Sequence, residues 1–469
     1  MRDALLKRYH RLPPFLRSIA ASARGGYLRA WRYGPNTDRL SDAALARERW
    51  TPAEWRNWQE ERLALLLHRA ATQVPHYREH WAKRRRQGDK ASSEILANWP
   101  LLEKNALREN PRAFVADDRS VARMFHDHTS GTSGKSLDLW LSRETVQSWY
   151  ALFEARCRRW NGVSRHDRWA IIGGQLIAAV EQDTPPFWVW NAPLHQLYLS
   201  AYHLAPRHIK SYADALRDYK IQYVLGYPSA IHTIAREMLH QRISAPPLKV
   251  VLTNAEPLLE RQRAEIEEAF GCPVRETYGM AEIAAAASEC EYGSMHSWPE
   301  AGVLETIRST YDNEKSASGE FVCTGLLNAD MPLIRYRAGD CGEVAAEGAT
   351  CECGRTLPVL TRIEGRADDT LYTADGRAVG RLDPVFKSRL PIYEAQIVQE
   401  ALDRIRVRYV PADGFTRADG ESLTERIRER MGPISVVLEQ VIAIPRTPNG
   451  KFRAVICELS IEEKKKVQR

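Results

Sequence analysis

The sequence predicts an α/β protein: a large N-terminal domain of layered α/β sheets followed by a small α+β C-terminal domain. Three observations carry that expectation. From about residue 125 to 368, short β-branched and aromatic runs alternate with polar segments of helical length, as when helices layer on a sheet. Near Gly365 the pattern changes to shorter strands, two helices (around Asp383–Arg389 and Leu423–Met431) and loops such as Pro411-Ala412-Asp413-Gly414. A chain of 469 residues also has the length for two or more domains and a substantial core. The expected boundaries are a helical region at 1–100 packed on the main domain, the large α/β domain at 101–367, and the small domain at 368–469.

The elements follow in order. Residues 1–35 are basic and amphipathic, with Arg2, Lys7, Arg8, Arg11, Arg17, Arg24, Arg29 and Arg32 set against Asp3 alone. Leu5, Leu6, Phe15, Leu16, Ile19 and Tyr27 make a broken apolar stripe. Such a segment packs on the body as a helical arm or docks on an anionic membrane or a partner. Residues 41–100 read as helical: Trp50, Trp55, Trp58, Leu63, Leu66 and Leu67 recur near helical spacing, and Thr51-Pro52-Ala53-Glu54 has the form of a capped start. The tryptophans are read as core.

Trp169-Ala170-Ile171-Ile172, Gln222-Tyr223-Val224-Leu225-Gly226 and Leu248-Lys249-Val250-Val251-Leu252 are buried strands, with helices at His208–Lys220 and Leu259–Phe270. The tail Glu462–Arg469 is charged and expected to be disordered.

Bulk properties narrow the function classes. Hydrophobic content of 44% and charged content of 27% describe an ordinary globular protein, and the net charge of +7 permits nucleotides, acyl thioesters or anionic membranes without demanding them. No apolar run reaches a transmembrane length, and the N-terminus lacks the uninterrupted apolar core of a secretory signal. Eight cysteines in a chain this long do not form a disulfide scaffold, so a cytoplasmic setting is expected. No nucleic-acid partner is expected.

The densest chemical signal is Thr129-Ser130-Gly131-Thr132-Ser133-Gly134-Lys135, followed by Ser136 and flanked by His126 and His128. Two glycines let the backbone present N–H groups to a polyanion, with hydroxyls and an ammonium nearby. Composition alone also allows a flexible Ser/Gly turn. A P-loop needs glycine where Thr129 stands and a helix afterwards. Here Leu137, Leu139 and Leu141 alternate as in a strand. The two histidines are read as solvated.

Five further segments join it. Asn254-Ala255-Glu256-Pro257 follows a strand, where α/β ligand loops lie. Thr277-Tyr278-Gly279-Met280-Ala281-Glu282 gathers a hydroxyl, a ring and a carboxylate about a glycine. Tyr336-Arg337-Ala338-Gly339-Asp340 ends in a carboxylate expected just after a strand, suited to ribose hydroxyls. Gly365-Arg366-Ala367-Asp368-Asp369 sits at the composition break like a hinge. Pro445-Arg446-Thr447-Pro448-Asn449-Gly450-Lys451 carries a lysine on a Pro/Gly-shaped loop.

In this order the segments resemble the AMP-forming adenylate-forming enzymes, over roughly residues 100 to 460. Val74-Pro75-His76-Tyr77-Arg78 and Arg32-Tyr33-Gly34 are similar to motifs of the phenylacetate–CoA ligase-like, CapK-type branch. The resemblance implies two half-reactions with ATP and Mg²⁺. A carboxylate attacks the α-phosphate, giving an acyl-adenylate and pyrophosphate. CoA, a carrier thiol or an amine then takes the acyl group and releases AMP.

It further implies that Thr129–Lys135 holds the β- and γ-phosphates, Thr277 contacts the α-phosphate, and Tyr278 lies by the adenine with the Asn254–Pro257 loop. Glu282 would help hold Mg²⁺, Asp340 the ribose, and Arg366 would lie near the nucleotide. Lys451 would serve the first half-reaction only, the small domain then swinging about Asp368. Two positions depart from the pattern: Asn254 stands where many relatives have glycine, and Ala281 where many have a hydroxyl residue. Gly226-Tyr227-Pro228-Ser229 and Gly173-Gly174-Gln175 are expected to line the acyl pocket.

Cys290-x5-His296 and Cys351-x-Cys353 offer three thiolates and an imidazole, the donor set of a tetrahedral structural zinc. Four unrelated residues are the alternative, because Cys-x-Cys is tighter than the usual knuckle spacing. Two readings are therefore carried besides CoA ligation: acyl transfer to an amine or carrier in polysaccharide or secondary-metabolite biosynthesis, and a non-catalytic zinc-stabilised nucleotide-binding protein. The latter leaves Lys451, Asp340 and the glycine loop without a purpose.

Overall fold

The computed structural model describes residues 8–128, 137–179, 181–307, 318–346, 348–366, 371–373, 378–379, 390–446, 452–460 and 462–464. The Thr129–Lys135 loop, Asp368, Lys451, the expected helix at Asp383–Arg389 and most of the charged tail lie outside them.

Helices Pro14–Arg32, Thr37–Arg47, Pro52–Gln73 and Pro75–Arg86 open the chain. The third starts as its sequence requires. Thr51 accepts a hydrogen bond from Glu54 N–H at 3.3 Å, and Glu54 accepts one from Thr51 N–H at 2.7 Å, so two orphan donors are satisfied together. Its inner face is continuous with the main body: Leu66, Leu67, Ala70, Tyr77 and Trp99 share one core with Leu139, Met331 and Tyr336.

Strands β1 (Phe125–His128) and β2 (Asp138–Leu141) form an antiparallel hairpin in which His128 faces Asp138. The glycine loop joins these strands, so strand and not helix follows it. A P-loop is thereby ruled out.

The main sheet holds twelve strands. Its first half contains β3 (Trp169–Gly173), β4 (Trp188–Asn191), β5 (Gln196–Ser200), β6 (Tyr223–Gly226), β7 (Val250–Thr253) and β8 (Val274–Gly279). Strands β5, β3, β6, β7 and β8 run parallel in that spatial order. All four residues of β6 and of β7 are buried, because helices and neighbouring layers cover both faces, and their sequences are correspondingly apolar. Helices Ile209–Asp218, Pro228–His240 and Glu260–Phe270 supply this cover.

The alternation expected up to residue 368 stops at β8. Strands β9 (Ala286–Glu289), β10 (Met295–Ser297), β11 (Gly302–Ile307), β12 (Gly319–Gly325), β13 (Tyr336–Val344) and β14 (Val359–Arg366) follow with antiparallel pairing and, among the described residues, no helix between them. The spatial order is β11-β12-β13-β14-β10-β9-β8-β7-β6-β3-β5-β4. Strand β8 is the joint, parallel to β7 on one side and antiparallel to β9 on the other.

Beyond the β15–β16 hairpin (Leu371–Tyr372, Ala378–Val379), a separate four-stranded sheet contains β17 (Ile392–Ala401), β18 (Arg404–Pro411), β19 (Ser435–Gln440) and β20 (Val455–Cys457), in the order β19-β18-β17-β20. It packs its own core with helix Arg417–Met431, through Ile397, Val407, Leu423 and Ile427.

The first helix departs most from its sequence pattern. Phe15, Ile19 and Tyr27, read as part of an apolar stripe, are 64%, 60% and 46% exposed. The inward face carries Ser18, Ser22 and Gly25 because it covers β4, the sheet's edge strand. Ser18 Oγ accepts from Trp190 N–H at 3.2 Å, and Ser22 Oγ donates to Trp190 C=O at 3.3 Å while accepting from Ala192 N–H at 3.1 Å. The edge strand's free backbone groups thus find hydroxyl partners on the helix. Gly25 permits the approach: a Cβ there would stand 1.8 Å from Asn191 Oδ1. Gly25→Ala is expected to destabilise the protein by about 1–3 kcal/mol through overpacking, read as a lower denaturant midpoint. An unchanged midpoint would contradict this packing.

Candidate active site

Of the segments singled out in the sequence, those among the described residues, Asn254–Pro257, Thr277–Glu282 and Tyr336–Asp340 with Arg366, meet where β7, β8, β13 and β14 end or bend. The Asn254–Pro257 loop leaves β7, with Asn254 N–H donating to Gly226 C=O at 3.1 Å. Ala255 holds a left-handed φ of +66°, a conformation that costs on the order of 1–3 kcal/mol in a non-glycine residue and clusters at functional loops. Thr277 lies in β8, and its hydroxyl donates to Thr253 C=O at 2.8 Å. Contact with a phosphate oxygen would require that hydroxyl to rotate away.

Tyr278 and Asp340 come together: the phenol donates to Asp340 Oδ2 at 2.8 Å. Burial, reinforced by the Asp340 carboxylate, pushes the Tyr278 phenol well above its ordinary range, so it stays protonated as the donor. Asp340 lies inside β13, not after a strand as expected, beside Gly339 at φ +74°. The positive φ and a register shift in the neighbouring β13–β14 pairing bend the strand here. Arg366, the last residue of β14, is the backbone register partner of Asp340.

Glu282 is buried and accepts from the Tyr336 hydroxyl at 2.7 Å. Tyr336 opens β13, so one strand carries both Asp340 and the partner of Glu282. This tyrosine was not distinguished as a site residue in the sequence, because nothing in its spacing marks a hydroxyl aimed at a carboxylate.

Glu256 also has partners the sequence did not indicate. Its Oε2 accepts from Ser229 N–H at 3.2 Å and its Oε1 from Phe452 N–H at 2.5 Å. Burial holds its carboxyl above the usual carboxylate range, although the hydrogen bonds from Phe452 and Ser229, with Arg446 nearby, oppose the rise. Phe452 directly follows Lys451. The loop expected to carry adenine contacts thus holds the C-terminal segment beside the lysine. Arg261 adds to the same contact by donating to Leu390 C=O at 3.0 Å and Ile392 C=O at 3.1 Å, with the Tyr393 ring set between Arg236 and Arg261. His126, in the strand that precedes the glycine loop, pairs with Asp138 at 2.8 Å and stacks on Trp140.

A second cluster lies at the β9–β10 turn. Cys290, His296, Cys351 and Cys353 bring their ligand atoms within 4.8 Å of one another. Cys290 Sγ and Cys351 Sγ are 3.7 Å apart, and Cys353 Sγ is 3.3 Å from His296 Nε2. A tetrahedral ion with bonds of about 2.3 Å would separate its sulfur ligands by about 3.8 Å. His296 Nδ1 faces Leu357 C=O at 3.2 Å, the outer contact that turns Nε2 inward as a lone pair.

The knuckle also binds the N-terminal helices. Thr356 N–H donates to Glu48 C=O at 2.8 Å, and Arg355 Nε to Glu48 Oε2 at 3.2 Å. Neighbouring Arg156 is fully buried and clamps Glu300 with bonds of 2.7 and 2.9 Å.

Residues 371–458 match the family model of the CapK C-terminal domain. The chain is 28% identical to protein CapK of Staphylococcus aureus over 398 residues, covering 81% of this chain and 84% of that protein. It is 28% identical to the phenylacetate–coenzyme A ligase of Aromatoleum evansii, over 68% of this chain and 72% of that one. Among solved structures it resembles 2-hydroxyisobutyryl-CoA ligase in the postadenylation state, with a TM-score of 0.65 and 22% identity over 90% of this chain and 93% of that chain. No helix among the described residues is long and apolar enough to cross a membrane.

Proposed function

Since the chain belongs to the AMP-forming adenylate-forming ligases, in the branch of phenylacetate–CoA ligases and CapK proteins, we propose that it joins a carboxylic acid to CoA through an acyl-adenylate. The observation that supports this reading is the hydrogen bond from Phe452 N–H, the residue after Lys451, to Glu256 in the loop that leaves β7.

In the first half-reaction the acid's carboxylate oxygen attacks the α-phosphorus of ATP, and pyrophosphate leaves. The protein's part is to position the two anions and offset their charge. The ammonium of Lys451 would stand between the carboxylate and the α-phosphate. The N–H groups and Lys135 of the Thr129–Lys135 loop would hold the β- and γ-phosphates. Asp340, steadied by the Tyr278 hydroxyl, would accept the ribose hydroxyls, with Tyr278, Gly279 and the Asn254–Pro257 loop along the adenine and Arg366 nearby. Glu282, steadied by Tyr336, would supply an oxygen to Mg²⁺, whose contribution is charge neutralisation at the phosphates. In the second half-reaction the CoA thiol attacks the acyl carbon and AMP leaves, after the C-terminal domain has turned about Asp368 and withdrawn Lys451.

Product analysis tests this. ATP, Mg²⁺, CoA and an accepted acid should give AMP and pyrophosphate in equal amounts with one acyl-CoA. Formation of ADP and phosphate would overturn the reading.

The Cys290, His296, Cys351, Cys353 cluster fits a structural zinc by donor set and spacing. Purified protein should hold about one zinc per chain. Cys351→Ser should release it and lower the thermal midpoint by roughly 5–10 °C, because the knuckle anchors the N-terminal helices through Glu48. Elemental analysis and calorimetry check this. Zinc-free protein with an unchanged midpoint would contradict it.

A further inference from the structure

A cavity of about 720 Å³ begins at the Thr277–Gly279 end of β8 and reaches helix Pro14–Arg32. Its volume is that of a pocket for a drug-sized molecule. Asp340, the ribose carboxylate of the adenylation reading, takes no part in its lining. On that reading, Asn254, Ala255, Tyr278 and Gly279 give the β8 end of the cavity to the nucleotide, the reacting carboxylate sits by Thr277, and the part towards the helix houses the body of the acid.

The walls state what that body should be. Trp149, Tyr150, Trp169, Tyr198 and Trp298 present aromatic surface, so flat apolar rings fit. Among the described residues the charged lining is one-sided: arginines contribute to it, and no aspartate or glutamate does. Arg158 is already neutralised by Glu154 at 3.1 Å. Arg24 and Arg32 differ. Among the described residues neither has a carboxylate partner, and their guanidinia lie over the rings of Tyr27 and Tyr150 at 4.9 and 4.5 Å. They stand on one helix face with Ala21 and Leu28, two turns or about 12 Å apart along the axis. Two unpaired guanidinia bordering an apolar cavity attract an anion and form short charge-assisted hydrogen bonds with it.

The geometry points to a polycyclic aromatic acid bearing a second anionic group, met on the helix side of the cavity by the half-buried Arg32 or the more exposed Arg24. The N-terminal helix thereby sets acid specificity.

The test uses matched pairs with the full-length protein: biphenyl-4,4′-dicarboxylate against biphenyl-4-carboxylate, and naphthalene-2,6-dicarboxylate against 2-naphthoate. Binding is read by quenching of tryptophan fluorescence, since Trp149, Trp169 and Trp298 line the cavity, and turnover by pyrophosphate release. The wild type should bind each diacid about tenfold more tightly than its monoacid, a typical yield of a charge-assisted contact. In the double variant Arg24→Gln, Arg32→Gln the ratio should fall towards one, through KM and not kcat. The double lysine variant should keep most of it.

Equal binding of diacid and monoacid by the wild type, or a ratio unmoved in the glutamine variant, would overturn the proposal. Selective diacid binding without pyrophosphate release would leave the pocket assignment standing and count against adenylation.

Discussion

Lys451→Ala is expected to lower acid-dependent pyrophosphate release by about 10²–10³-fold, the scale of removing one preorganised charge-stabilising donor. Conversion of a preformed acyl-adenylate to its thioester should change by no more than about threefold. The two half-reactions separate because the lysine is needed where a carboxylate approaches a polyphosphate, and both partners are anions. Once the adenylate exists, the attacked centre is an acyl carbon and the same ammonium has no charge to balance there. Its neighbour Phe452 is tied to Glu256 of the large domain. Loss of both half-reactions in equal measure would show that Lys451 acts on folding or nucleotide binding generally.

Glu256→Ala should lower the first half-reaction about 10- to 100-fold while sparing the second. Glu256 is 8% exposed, and its two oxygens are divided between Ser229 N–H and Phe452 N–H. The first anchors it at the start of helix Pro228–His240, where the helix dipole favours a carboxylate. The second holds the backbone next to Lys451. Deleting the carboxylate leaves the Phe452 N–H without that acceptor and releases the lysine loop. Glu256→Gln keeps an amide oxygen that can serve one of the two N–H groups, so it should lie between wild type and alanine. A positioning role predicts a fall in kcat for adenylation with the KM for ATP little moved. A dominant rise in that KM would mean that Glu256 contributes to nucleotide binding itself.

Local chemistry was the part most readable from sequence. The short apolar runs of β6 and β7 read as buried strands, and Thr51 with Glu54 marked a helix start because both partners of the capping box lie within one turn. The alternating leucines after the glycine loop made β2 a strand and removed a P-loop from consideration. The cysteine and histidine residues were visible by type, while their approach to within 4.8 Å depended on pairing between β10 and β14, which spacing does not encode.

Long-range partnerships were the part that could not be read. Helix Pro14–Arg32 turns Ser18, Ser22 and Gly25 inward because an edge strand needs hydrogen-bond partners more than apolar cover, so Phe15 and Ile19 face outward against their hydropathy. The antiparallel half of the sheet was hidden because its strands vary in length and carry polar residues even where buried, as in β9 and β12, and so lack the apolar character of β6 and β7. Tyr336 and Phe452 act through contacts to Glu282 and Glu256 made far along the chain.

On the proposed reading a carboxylate displaces pyrophosphate from ATP beside Thr277 and Asp340, with Lys451 balancing the charge. Isotope exchange between pyrophosphate and ATP, with Mg²⁺ and without CoA, tests it most directly across a panel of aromatic acids. Exchange that requires an acid and disappears with Lys451→Ala is the predicted result. Exchange that proceeds without any acid, or no exchange with acids shown to occupy the cavity, would contradict it.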